Sequence, residues 1–111
     1  MALIAKTPQP PYYAVIFTSL RTDDFEGYTE MSTRMKELAA RQPGYLGIES
    51  VREDVGITVS YWRDLESIRS WRADIEHHKA QQSGRERWYA RYKVRIARVE
   101  HEHDFLKNAQ E

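Results

Sequence analysis

The residues of this chain that could carry chemistry gather in its second half: an adjacent histidine pair, three tryptophans, and a run of tyrosines and arginines. Imidazole titrates near neutrality, so His77 or His78 suits proton transfer. Spacing alone leaves the choice open. If one helix runs unbroken from Leu65, His78 follows Trp71 by seven residues and shares its face; if a new helix begins at Asp74, that inference fails and His77 competes. Trp71 recurs with Leu65 and Ile68 at helical intervals, which makes it a core residue or the wall of a pocket. Trp62 ends a β-rich run on the parity opposite Val59 and Tyr61, facing either a pocket or a subunit seam. Near the C-terminus Trp88, Tyr89, Tyr92, Arg85, Arg91 and Arg95 offer rings and planar cations. The tyrosines and arginines form either a clamp for a substrate anion or interface and surface pairs with acidic residues. Neighbouring histidines on a helix diverge, so the pair is a poor ligand set, and His101 with His103 reads as a solvated edge; no metal site is expected.

Composition narrows what such residues can be doing. At 111 residues, with 17 basic and 17 acidic side chains, the chain has room for one core and none for a separate dinucleotide domain. A net charge of zero gives phosphate backbones nothing to hold, so nucleic acid is not an expected partner. Cysteine is absent, which rules out thiolate chemistry and disulfides and suits a reducing, cytoplasmic setting. No apolar stretch approaches the roughly 20 residues of a membrane span, and the five apolar residues before Lys6 are too few for a signal core. Mean hydropathy is -0.77, yet aromatics make up 12% of the residues. Flat apolar groups are being arranged in a polar chain.

The elements that must position these groups follow from periodicity. Tyr12 to Leu20 is apolar on both parities, a strand buried on both sides. Asp23 and Glu26 have capping-box spacing, and Phe25, Tyr28, Met31, Met35, Leu38 and Ala39 form the stripe of a helix that Gln42-Pro43-Gly44 stops. Tyr45–Arg52 and Val55–Trp62 read as a hairpin around Glu53-Asp54. Asp64 caps a second helix, and a break near Ala73-Asp74 lets Asp74 cap a short third one running to Gln82. Arg85 to Arg91 is ambiguous between a helical turn and a loop. Tyr92–His101 makes the last strand, with a bulge near Ala97-Arg98 to explain its change of apolar parity. Residues 1–11 are expected as a flexible lead-in, 12–105 as the domain and 106–111 as a tail.

The order β-α-β-β-α-β is the ferredoxin-like arrangement, an α+β fold with helices on one face of a four-stranded antiparallel sheet. The other face has no cover of its own and is apolar along the first strand. A two-fold homodimer through the sheet faces is the economical solution.

The series Pro43-Gly44-Tyr45-Leu46-Gly47, Ser60-Tyr61-Trp62-Arg63-Asp64, Ser70-Trp71-Arg72, Glu76-His77-His78-Lys79-Ala80-Gln81, Gly84-Arg85, Trp88-Tyr89 and Tyr92-Lys93-Val94-Arg95 resembles the antibiotic biosynthesis monooxygenase family of dimeric α+β barrels. The resemblance implies a homodimer and a pocket between sheet and helices. It also implies oxygenation of an aromatic or quinol-like small molecule by O₂ with neither metal nor organic cofactor. On that likeness His77 is the proton acceptor and Trp71 a catalytic-pocket residue; Trp62, His78, Trp88, Tyr92 and Arg95 surround the substrate. Haem degradation, known among relatives, fits poorly: the position ten after Trp71, where those relatives carry an axial histidine, holds Gln81, and Tyr12–Leu20 contains no asparagine. The same fold also serves non-catalytic binding of a small hydrophobic ligand.

Overall fold

The computed structural model describes residues 3–107. Its elements are β1 (Tyr12–Arg21), α1 (Tyr28–Ala40), β2 (Tyr45–Arg52), β3 (Gly56–Trp62), α2 (Leu65–Ala73), α3 (Ile75–Ser83), a π-helical segment (Gly84–Trp88) and β4 (Tyr89–Val99). The strands pair antiparallel in the order β2-β3-β1-β4. This is the expected ferredoxin-like α+β fold.

Register assigns the two faces of the sheet, because directly paired residues point the same way and neighbours along a strand point oppositely. Val15 pairs with Ser60 and Ile96, and Phe17 with Thr58 and Val94, all under the helices. Ile16 pairs with Val59 and Arg95, and Ala14 with Tyr61 and Ala97, on the open side. The apolar parity of β3 therefore turns away from the helices, and Gly56, Thr58 and Ser60 lie beneath them. Small polar side chains under a helix layer leave space.

The core occupies one end of the interface between the layers. Trp62 is 0% exposed and forms a cluster with Leu38, Ala39, Ile68 and Trp71, flanked by Tyr13, Val15, Met35 and Tyr45. The Trp62 and Trp71 rings stack with centroids 6.2 Å apart, and the Trp62 indole N–H donates to the Ser60 hydroxyl at 2.9 Å. No buried donor is left unpaired there, which is the condition for burying a tryptophan cheaply. Leu65, expected beside Ile68, is 41% exposed and stands outside this cluster. Asp64 caps α2 as expected, accepting from the Ser67 amide at 2.8 Å and the Ser67 hydroxyl at 2.7 Å.

Two local expectations are corrected. The Asp23/Glu26 capping box does not form: α1 starts after Gly27 in the left-handed region (φ 79°) without a side-chain cap. Asp24 instead pairs with Arg87, and Phe25 lies 54% exposed beneath the Arg21 guanidinium. The bulge in β4 lies at the opposite end, where Leu20 faces Arg91, Arg21 faces Tyr89 and Ala90 is the extra residue. At Ala97-Arg98 the ladder is continuous, and the parity change arises because Ile96 lies under the helices whereas Val99 pairs with buried Tyr12 on the open side. The lead-in makes specific contacts: the Ala5 amide donates to Glu49 at 2.9 Å, and Thr7 lies within bonding distance of Tyr12 and Glu102. Positions 1–2 of that segment and 108–111 of the expected tail lie outside the described residues.

Candidate functional site

Between the sheet and the helices lies a cavity of about 320 Å³, within the range typical of small-molecule sites. Its floor includes Val15, Phe17, Thr58 and Ser60, and its roof includes Met31 and Met35 of α1. Trp71 and His77 close one side; Trp88, Tyr89 and Tyr92 line another part. The polar parity of β3 thus supplies the hollow, and the aromatics supply its walls.

The break between α2 and α3 sets the position of His77. Asp74 leaves the helical region (φ -60°, ψ 134°), caps α2 with its own N–H on the Trp71 carbonyl, and accepts from the amides of Glu76 (3.0 Å) and His77 (3.2 Å) to start α3. The restart swings His77 back over the end of α2, where its ring lies 4.2 Å from that of Trp71 and its Nδ1 sits 3.0 Å from the Trp71 carbonyl oxygen. A carbonyl only accepts, so Nδ1 carries the proton and Nε2 holds the free lone pair of the neutral ring. Burial, opposed by the bond to Trp71, lowers the His77 pKa below its ordinary value, with Arg72 and His78 adding to the depression and Asp74 countering it. At neutral pH the ring is a base with a defined tautomer on the wall of an apolar cavity.

Trp88 enters from the π-helical segment, a rare element that is enriched at functional sites. It is buried, its indole N–H donates to the Glu26 carbonyl at 2.9 Å, and its ring meets Tyr28 edge-on at 5.9 Å. The Thr22 amide donates to the Trp88 carbonyl at 2.8 Å, so the segment and the loop before α1 are stitched together. Burial, reinforced by the neighbouring Tyr28 hydroxyl, holds the Tyr89 phenol protonated well above its ordinary range.

The structure divides the residues singled out from sequence. His77, Trp71, Trp88 and Tyr92 line the cavity together with Tyr89. His78 is exposed on the outer side of α3, since the restart at Asp74 takes it off the Trp71 face. Trp62 lies in the core behind Trp71 and does not reach the cavity. Arg95 pairs with Ile16 and so projects from the open side of the sheet, with Arg91 on the same parity, because the odd-numbered residues of β4 there turn away from the helices. Arg85 reaches over from the π-helical segment to the Tyr92 hydroxyl at 3.3 Å. Sequence reasoning missed Arg52, the last residue of β2, which shares the cavity side with Ile48 and Ser50; parity within that strand was the available signal.

A ferredoxin-like layer of helices holding a half-buried imidazole and a buried tryptophan over an apolar hollow defines a candidate small-molecule site in an α+β domain. The antibiotic biosynthesis monooxygenase family model matches residues 11–83, and the chain belongs to that family. The uncharacterised protein YqjZ of Bacillus subtilis is 50% identical over 110 residues, covering 97% of this chain and 96% of that one. A jasmonate monooxygenase of Pyricularia oryzae is 33% identical over 104 residues, covering 88% of this chain and 42% of that longer protein. The solved structure of SnoaB, a cofactor-independent oxygenase from Streptomyces nogalater, superposes with a TM-score of 0.66 at 14% identity, covering 89% of this chain and 100% of that one.

Proposed function

We propose that the protein is a cofactor-independent monooxygenase of an aromatic or quinol-like small molecule, working as a homodimer joined through the open sheet faces. The single observation that carries the reading is His77: a half-buried, Nδ1-protonated imidazole with a lowered pKa on the wall of an apolar cavity. Family membership and the descriptions of SnoaB and the jasmonate enzyme support an oxygenase over other uses of such a base.

The chemistry asks little of the protein. His77 Nε2 takes a proton from an activated carbon or phenol, and the resulting electron-rich anion passes an electron to O₂. Recombination forms a C–O bond and a peroxide. Loss of water then leaves one oxygen atom in the product and the other in water, so a CH₂ group and O₂ become C=O and H₂O. Trp71 and Trp88 hold a flat substrate, and the hydroxyls of Tyr89 and Tyr92 donate to the developing oxyanion.

The test is oxygen uptake by the protein with a panel of anthrones, hydroquinones and jasmonate, comparing His77→Ala with the parent. Uptake above the blank that falls about 100-fold or more in the variant supports the assignment, that being the ordinary contribution of a positioned base. Turnover without O₂ would make the site an isomerase or decarboxylase instead. Binding without any turnover would make the protein a ligand carrier.

A further inference from the structure

Arg52 is placed as a ligand-binding group would be. It ends β2 on the cavity side, opposite Gly56. Its guanidinium folds flat across that glycine, where a Cβ would collide with it, and donates to the buried Ser19 hydroxyl. It also lies 5.8 Å from the ring centroid of Tyr28. Among the described residues the ion pairs are Arg34–Glu76, Arg63–Asp64, Arg69–Glu66 and Arg87–Asp24, and Arg52 takes part in none. The described lining of the cavity carries three cations, Lys36, Arg52 and Arg72, and no carboxylate. Of the three, Lys36 and Arg72 are exposed whereas Arg52 is half-buried. A guanidinium held partly out of water without an opposing charge is costly unless something anionic joins it.

We propose that this end of the cavity is a carboxylate subsite, so that the ligand is an apolar molecule bearing one carboxylate, bound by Arg52 with the Tyr28 and Tyr89 hydroxyls beside it. The fixed fork of arginine matches the planar two-oxygen edge of a carboxylate, and Ser19 locks the fork in place. The inference rests on reading the cavity as the substrate site, and it adds a length. Ser19 and Val15 are four residues apart on β1, roughly 13 Å at strand rise. Val15 packs against the cluster that includes Trp71, and His77 lies on Trp71. An acid seated on Arg52 therefore presents to His77 a group remote from its carboxylate, as in an aryl-alkanoate with its activated ring at the far end.

The test compares binding of 4-(1-naphthyl)butanoate and 6-(4-hydroxyphenyl)hexanoate with binding of their primary amides, read by tryptophan fluorescence and calorimetry near pH 7.5. The parent is expected to prefer each acid over its amide by about 10- to 100-fold, the range for a charge-assisted hydrogen bond. Arg52→Gln closes that gap by weakening the acids and sparing the amides. Arg52→Lys narrows it, and Lys36→Gln combined with Arg72→Gln leaves it. The proposal is overturned if the parent binds acid and amide alike, if no acid binds, or if the gap survives in Arg52→Gln. Should that variant not fold, the acid preference of the parent and its narrowing in Arg52→Lys decide the matter. His77→Ala is expected to keep the preference, so loss of oxygen uptake and loss of acid selectivity are separable failures.

Discussion

Asp74 does two jobs that a pair of substitutions can separate. Its carboxylate accepts from the amides of Glu76 at 3.0 Å and His77 at 3.2 Å, and its negative charge opposes the burial that lowers the His77 pKa. Asparagine caps a helix as well as aspartate does, whereas alanine forfeits a cap worth about 1 kcal/mol. In a domain of this size that loss corresponds to a fall of about 4 °C in the melting temperature. Asp74→Ala is therefore expected to melt about 4 °C lower and to lose kcat more than KM, because the restart that places His77 is loosened. Asp74→Asn is expected to melt close to the parent. With the favourable charge gone and the geometry kept, its His77 should titrate still lower, measurable by following the imidazole resonances against pH. Two results would refute the reasoning: Asp74→Ala melting with the parent, or the His77 pKa rising in Asp74→Asn.

Gly44 has φ 85°, and a Cβ there would run into the Ser67 side chain, so Gly44→Ala combines a left-handed backbone penalty with overpacking. A loss of about 2–4 kcal/mol in urea unfolding is expected, and a loss below about 1 kcal/mol would show that the turn relaxes freely. The lowered His77 pKa means that, between it and the ordinary value near 6.5, the unfolded chain holds a proton the folded chain does not. Stability from this group is complete above about pH 6.5 and is lost as pH falls toward the folded pKa. The drop in urea midpoint between about pH 7.5 and pH 5 should therefore be smaller in His77→Gln than in the parent, and an equal or larger drop contradicts the assignment.

Legibility from sequence varied with how local the deciding physics was. The strand and helix order, the Asp64 and Asp74 caps and the break between α2 and α3 all rest on short-range signals, and the chain obeys them. The start of α1 did not follow its local signal because Asp24 and the loop around it are committed to Arg87 and Trp88, more than sixty residues away. Trp62 and Arg95 illustrate the same limit in the sheet. Parity set Trp62 opposite Val59 and Tyr61, and only the pairing of β1 with β3 and β4 showed which side of the sheet Trp62 and Arg95 take. His77 was separable from His78 once the restart at Asp74 was in view, because a register break rotates every later side chain.

The alternation in β3 also explains why a cavity exists in so small a domain. Had Ile57, Val59 and Tyr61 faced the helices, they would have filled the space over β1 and merged with the Trp62–Trp71 cluster into one continuous core. The chain instead turns Gly56, Thr58 and Ser60 inward and puts the branched and aromatic residues on the open face, where Ile57 remains 40% exposed. Each half of that choice is unfavourable for an isolated subunit: the inside is underpacked and the outside carries uncovered apolar surface. A second copy covering the open face offsets the outer cost, and a flat ligand filling the hollow offsets the inner one. The proposed dimer and the proposed ligand thus answer the two costs of one strand's parity. Exchanging the two parities of β3 should therefore abolish both at once, even where the fold survives.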